Sequence, residues 1–158
     1  MIRSGIGYDA HRLAPGRKLI LGGVEIPYDR GLEGHSDADV LCHAVADALL
    51  GAIGESDIGH HFPNTNESIR GISSLEILEK VNAVLGDKNA RAVNVDATLI
   101  AEAPKIAPYI SAMREKIAAA LNLETSRVSI KATTNEGLGA IGRGEGMAAM
   151  AVATVEME

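Results

Sequence analysis

Disulfides, aromatic anchors and membrane spans are set aside by what this chain lacks. It has a single cysteine, Cys42, so no intramolecular disulfide can form. That residue falls in an apolar stretch, where a small buried hydrophobe is its simplest role. Tryptophan is absent and there are one phenylalanine and three tyrosines, so the core must come from Ala, Val, Leu and Ile. No segment approaches the ~20 consecutive apolar residues a membrane span needs. The opening Met1-Ile2-Arg3-Ser4-Gly5 has no apolar signal-peptide core. A soluble, cytoplasmic protein without a membrane partner is therefore expected. Basic residues are also in deficit: 15 Lys and Arg against 21 Asp and Glu give a net charge of −6. That balance argues against nucleic acid as a partner. It leaves room for a phosphorylated small molecule whose charge is met by metal ions.

What is present suits one globular domain over residues 1–158, with 46% hydrophobic and 23% charged residues, long enough to bury a core. The most informative stretch is 34–51, G-H-S-D-A-D-V-L-C-H-A-V-A-D-A-L-L-G. It reads as a helix whose cap is Ser36, with Asp39 completing a capping box. Val40, Leu41, Ala44, Val45, Ala48 and Leu49 recur at helical spacing. The opposite face carries His43 between Asp39 and Asp47. A solvated face with weak ion pairs accounts for that pattern. The competing reading comes from upstream, where Asp9 and His11 lie two apart and share one face of an extended strand.

Taken in order, residues 2–9 read as a strand whose Gly5 and Gly7 allow a close approach. Residues 18–27 read as a hairpin turning at Gly22-Gly23. Residues 54–68 read as a loop or flap with exposed His60 and His61. A helix over 73–85, a strand over 91–101 with Val93, Val95, Ala97 and Leu99 on one face, and a helix to about Leu121 follow. Strands over 127–134 and 147–157 close the chain. The expected fold is α+β, a mixed sheet with helices packed on one face. The face left bare points to an oligomer.

Four groups of residues are candidates for chemistry. Gly137-Leu138-Gly139-Ala140-Ile141-Gly142 matches a dinucleotide fingerprint in letters only. No helix with an acidic residue beyond it follows, so a glycine-rich turn is the better reading. Thr133-Thr134-Asn135-Glu136 offers hydroxyls and a carboxylate at a strand end, suited to phosphate and a divalent cation. Arg143-Gly144-Glu145 is either a surface ion pair or an anion site. Asp9, His11 and His43 together make two imidazoles and a carboxylate, a set that suits zinc with one open position. Asp47 or Asp39 is then expected to orient the ligands.

The pieces G-I-G-Y-D-A-H-R (5–12), L-I-L-G-G-V-E-I-P (19–27), the 31–51 segment, D-I-G-H-H-F-P-N-T-N (57–66), A-P-K-I (103–106), K-A-T-T-N-E-G-L-G (131–139) and G-R-G-E-G (142–146) together resemble one family. It is the 2-C-methyl-D-erythritol 2,4-cyclodiphosphate synthase family of the non-mevalonate isoprenoid pathway. The resemblance implies a homotrimer with sites between subunits and a cytidine-diphosphate-linked substrate, closed to a cyclic diphosphate with release of CMP. It implies zinc on Asp9, His11 and His43, and a magnesium or manganese ion on Glu136. His35 and Thr134 match catalytic positions, and Ser36 the site of the 2-phosphate. Asp57, Ile58 and Gly59, with the flap residues Phe62, Pro63, Asn64, Thr65 and Asn66, match substrate contacts. Ala101, Ala103, Pro104, Lys105, Ile106, Ala107 and Thr133 match the cytidine pocket, and Asn135 and Arg143 complete the substrate set. Asn64 and Asn66 stand where the family has aspartates, which removes a carboxylate role from the flap. Ala140 stands at an often aromatic position, which argues against an isoprenoid diphosphate in the trimer cavity. The family's bifunctional form carries a fused cytidylyltransferase domain, which is not expected in these 158 residues. Two other functions use the same residues: a zinc phosphohydrolase, and a binding protein built around Arg143 and Glu145.

Overall fold

The computed structural model describes residues 1–158 and opens with a long strand, β1 (Ile2–Pro15). That strand is followed by β2 (Leu19–Leu21), β3 (Val24–Ile26) and β4 (Arg30–Leu32), then by helices α1 (Val40–Ile53), α2 (Ile58–His61) and α3 (Ser74–Asp87). Strand β5 (Ala90–Ile100), helix α4 (Ile110–Leu121), strand β6 (Val128–Thr133), the single turn α5 (Gly139–Gly142) and strand β7 (Gly146–Met157) complete the chain. The main sheet has the order β4-β1-β7-β5-β6, and β2 and β3 form a separate two-stranded sheet. Strand β7 is antiparallel to both neighbours, whereas β5 and β6 are parallel. A parallel pair needs a crossover, and α4 supplies it. The α+β mixed sheet is as expected; β4, α2 and α5 are elements the sequence patterns did not reveal.

Glycine determines how closely α1 lies on the sheet. A Cβ at Gly7 would sit 1.9 Å from the carbonyl oxygen of Ala44, and one at Gly5 2.1 Å from that of Ala48. The helix backbone therefore rests directly on β1, with alanines as its contact residues. Its other side meets α3, so every residue of α1 but Asp47 and Gly51 is buried. The solvated face expected for this helix does not exist.

The cap also differs from the expected one. Ser36 lies outside the helix, and Asp39 is the N-cap, accepting from the Cys42 amide at 3.1 Å. Asp39 is fully buried, and its carboxylate also accepts from the amides of Gly22 (2.9 Å) and Gly23 (2.7 Å). Those glycines form the tight β2–β3 turn with φ of +56° and +73°, values that suit glycine. One carboxylate thus starts the helix and pins the hairpin. Burial raises its pKa, while these amides act in the opposite sense.

Two smaller differences follow from tertiary contacts. Strand β5 carries a register shift between Ala92 and Asn94, which takes Val93 out of the alternation that buries Val95, Ala97 and Leu99. The expected flap contains α2, capped by Asp57, which accepts from the His60 amide at 3.0 Å.

The sheet face turned away from α1 has no cover. Ile6 and Tyr8 pair across to Val152 and Met150, and these four apolar side chains are exposed by 66%, 59%, 47% and 45%. No helix is long and apolar enough to cross a membrane.

Candidate active site

Strand alternation puts Asp9 and His11 on the α1 side of β1, and the first turn of α1 turns His43 toward them. Asp9 Oδ2 lies 2.8 Å from His11 Nε2 and 3.0 Å from His43 Nδ1, and the two nitrogens are 3.3 Å apart. Three ligands of a tetrahedral zinc with bonds of ~2.0–2.1 Å lie about 3.3 Å from one another. The triad is therefore spaced to hold a divalent metal ion.

The outer nitrogens are committed. His11 Nδ1 donates to the Glu33 carbonyl at 2.6 Å, which leaves Nε2 for the metal. His43 Nε2 meets two hydroxyls, Ser74 Oγ at 2.9 Å and Ser36 Oγ at 3.1 Å. Burial acts to raise the Asp9 pKa, but hydrogen bonds from both histidines outweigh it and lower the carboxyl from 3.8 to about 2. Burial acts to lower the His11 pKa, and its bond to Asp9 reverses that and raises it above 6.5.

Around the triad is a pocket of about 210 Å³ lined also by Gly34, His35, Ser36, Ile58, Gly59, Phe62, Asn64, Ile69, Ile72 and Ile77. The lining mixes polar groups with the apolar side chains of Ile58, Phe62, Ile69, Ile72 and Ile77. His35 Nε2 lies 3.2 Å from the Asn66 carbonyl, so the histidine rests against the 57–70 flap. Of the flap residues expected at the site, Ile58, Gly59, Phe62 and Asn64 line the pocket; Asp57, Pro63, Thr65 and Asn66 do not. Asp57 and Asn66 instead cap short helical turns, with Asn66 accepting from the Ser68 amide at 3.1 Å. His60 and His61 also lie outside the pocket.

Asp47 does not orient a metal ligand. Its carboxylate accepts from the Ile58 amide at 2.8 Å and so ties α1 to the start of the flap. Asp39 is likewise occupied with the hairpin. The groups that meet His43 are Ser74 and Ser36, and Ser74 donates in turn to Asp37. Sequence reasoning missed Ser74 and Asp37. The only local signal was a second serine after the helix cap Ser73, and nothing in spacing links it to His43 across 31 residues.

The remaining predicted residues form a second cluster. Ala101, Ala103, Pro104, Lys105, Ile106 and Ala107 follow β5, and Thr133, Thr134, Asn135 and Glu136 follow β6. The two loops are joined: Ala101 N donates to Thr133 O at 3.0 Å, and Glu102 Oε1 accepts from the amides of Asn135 (2.8 Å) and Gly137 (3.3 Å). Glu102 was not anticipated. Register aligns Asp9 with Ala149, Leu99 and Ala132, so both clusters sit toward one end of the sheet, with β5 and β6 two and three strand spacings from β1, about 10 and 14 Å. None of the second cluster lines the triad pocket. Arg143 pairs with Glu145 at 2.9 Å and does not line the triad pocket.

A family model described as the YgbB family matches residues 2–156. The 2-C-methyl-D-erythritol 2,4-cyclodiphosphate synthase of Alkaliphilus metalliredigens is 58% identical over 98% of this chain and 97% of its own length. Among solved structures, the bifunctional IspDF of Campylobacter jejuni superposes with a TM-score of 0.95 at 38% identity, over 100% of this chain and 43% of that longer one. The CDP complex of IspF from Plasmodium falciparum superposes with a TM-score of 0.86 at 33% identity, over 99% and 97% of the two chains. With a match across nearly its whole length and a triad spaced for a metal, the chain belongs to the YgbB family.

Proposed function

We propose that this chain is a 2-C-methyl-D-erythritol 2,4-cyclodiphosphate synthase. It would convert 4-diphosphocytidyl-2-C-methyl-D-erythritol 2-phosphate to the 2,4-cyclodiphosphate and CMP. The observation that carries the reading is the meeting of Asp9, His11 and His43 at a pocket lined by both polar and apolar side chains. The substrate comes from the names of the relatives, one of them solved with CDP.

In this reaction an oxygen of the 2-phosphate bonds to the β-phosphorus. The bond from that phosphorus to the oxygen bridging the α-phosphate breaks, and CMP leaves with the electron pair. The nucleophile already carries negative charge, so alignment and charge stabilisation matter more than a base. Zinc held by Asp9, His11 and His43 would supply Lewis-acid neutralisation of the diphosphate. Glu136 is the carboxylate for a second ion, magnesium or manganese. Ser36, beside the triad, donates its hydroxyl to the 2-phosphate, and His35 next to it stabilises the transferring phosphoryl group together with Thr134. Ile58, Phe62, Ile69, Ile72 and Ile77 keep water from the pocket, which favours ring closure over hydrolysis.

The loops 101–107 and 133–136 bind the cytidine end, with Asp57, Thr65, Asn66 and Arg143 at more distant contacts. A pocket of about 210 Å³ is small for a whole ligand, since sites for drug-sized molecules run ~300–1,000 Å³. The rest of the substrate then lies on a neighbouring subunit, whose cytidine loops complete the site in a homotrimer. The bare patch of Ile6, Tyr8, Met150 and Val152 supports that assembly. Incubation with substrate, zinc and magnesium, followed by phosphorus NMR, tests the reading. Stoichiometric CMP and cyclic diphosphate are expected. A linear, hydrolysed product would make the protein a phosphohydrolase instead.

A further inference from the structure

We infer that Asp37 and Ser74 are positioning residues for the metal: a carboxylate–hydroxyl pair that fixes the tautomer and angle of His43. The inference rests on the metal-binding reading of the triad. Its geometry is independent of the ion.

Ser74 is the first residue of α3 and is completely buried. Asp37 accepts from both the amide (3.0 Å) and the hydroxyl of Ser74, and from the Asp39 amide at 3.2 Å. A carboxylate has no proton to give, so the Ser74 hydrogen points to Asp37. Its oxygen, 2.9 Å from His43 Nε2, is then left to accept. With Nδ1 and Asp9 both turned to a bound cation, the single proton of a neutral His43 sits on Nε2, where the Ser74 oxygen accepts it. Nδ1, which faces Asp9 and His11, keeps its lone pair. Charge on Asp37, passed through the hydroxyl, makes that nitrogen a better donor to a cation. The same arrangement releases Ser36. Its oxygen accepts from Ala38 N at 3.1 Å, and with Ser74 taking the Nε2 proton its own hydrogen remains for an anionic ligand.

The pair also joins segments far apart in sequence. Asp37 N donates to Ile72 O at 3.1 Å and Gly71 N to His35 O at 2.8 Å, so the end of the flap and the start of α3 are laced to the 35–37 strand of chain. The angle of His43 is thereby set by α3 as well as by its own helix.

The test is zinc affinity by chelator competition on the purified full chain and on Ser74→Ala and Asp37→Asn. Both variants should bind zinc ~10-fold or more weakly, while the metal-free melting temperature falls little by comparison. The double variant should be no weaker than the worse single, because the two act as one unit. Nitrogen NMR of the unmutated zinc-loaded protein gives a second readout that needs no folded variant. It should show the His43 proton on Nε2, in slow exchange. Zinc affinities within twofold of the parent in both variants, or a His43 Nε2 without a proton, would overturn the inference. If the unmutated chain itself fails to bind zinc, the metal reading fails first.

Discussion

Asp9 and His11 stabilise each other when no metal is bound, and the direction of each shift sets the pH window. The Asp9 carboxyl falls to about 2 in the fold from 3.8, so its contribution is present above about 3.8 and lost as pH drops toward 2. The His11 pKa rises above 6.5, so its contribution is full below 6.5 and is lost as pH climbs through the folded value. In metal-free protein, the stability gap between the parent and Asp9→Asn should therefore be widest between about pH 4 and 6.5. Urea unfolding across that range measures it. A gap that does not change with pH would mean that the pair is not coupled as drawn. Asp47 gives the second prediction at this scale. Because its carboxylate holds the Ile58 amide, Asp47→Ala should expose the 57–70 flap to limited proteolysis and leave zinc affinity unchanged. A tenfold loss of zinc affinity would return Asp47 to the metal.

At the scale of elements, the contact of α1 with β1 depends on glycines with no room for a Cβ. Gly7→Ala would drive a methyl into the Ala44 carbonyl, and backbone cannot yield as a side chain does. A loss of about 3 kcal/mol in urea-unfolding stability is expected. Gly86 in α3 has nothing within 4 Å of the same methyl, and Gly86→Ala should gain up to about 1 kcal/mol. Equal effects at the two sites would refute the packing. Much of this was legible beforehand. Gly5 and Gly7 marked a strand that something approaches, Gly22-Gly23 marked the turn, and the Asp9–His11 spacing set two ligands on one face. What stayed hidden depended on contacts between distant segments. Ser36 and Asp39 are both good caps locally, and only the hairpin amides decide for Asp39. Helix α1 looked half solvated because Asp39, His43 and Asp47 line one face, yet each is used internally. Ser74 and Asp37 lie 37 residues apart and carry no periodic signal.

The whole molecule leaves two things incomplete in one chain: a small pocket and a bare apolar face. The proposed homotrimer would account for both. Met150→Asp, in the centre of the exposed patch, should yield a monomer by light scattering. If the trimer is as proposed, that monomer should still bind zinc but release no CMP, because its pocket would lack a neighbour's cytidine loops. A Met150→Asp monomer with full turnover would show that one chain suffices. The resemblance in sequence supplied the substrate and the trimer, since neither composition nor a single chain's geometry names a ligand. For the metal triad, spacing raised the possibility, the resemblance assigned it, and the fold brings the three side chains together.

The central claim is that this triad holds the ion on which catalysis depends. Its most direct test is CMP release from substrate by chelator-stripped protein as zinc is added back, with magnesium present throughout. Activity should be absent at the start and rise in step with zinc until one ion per chain is bound, and His43→Ala should stay inactive at every point. Full activity in the stripped protein, or in His43→Ala, would contradict the account.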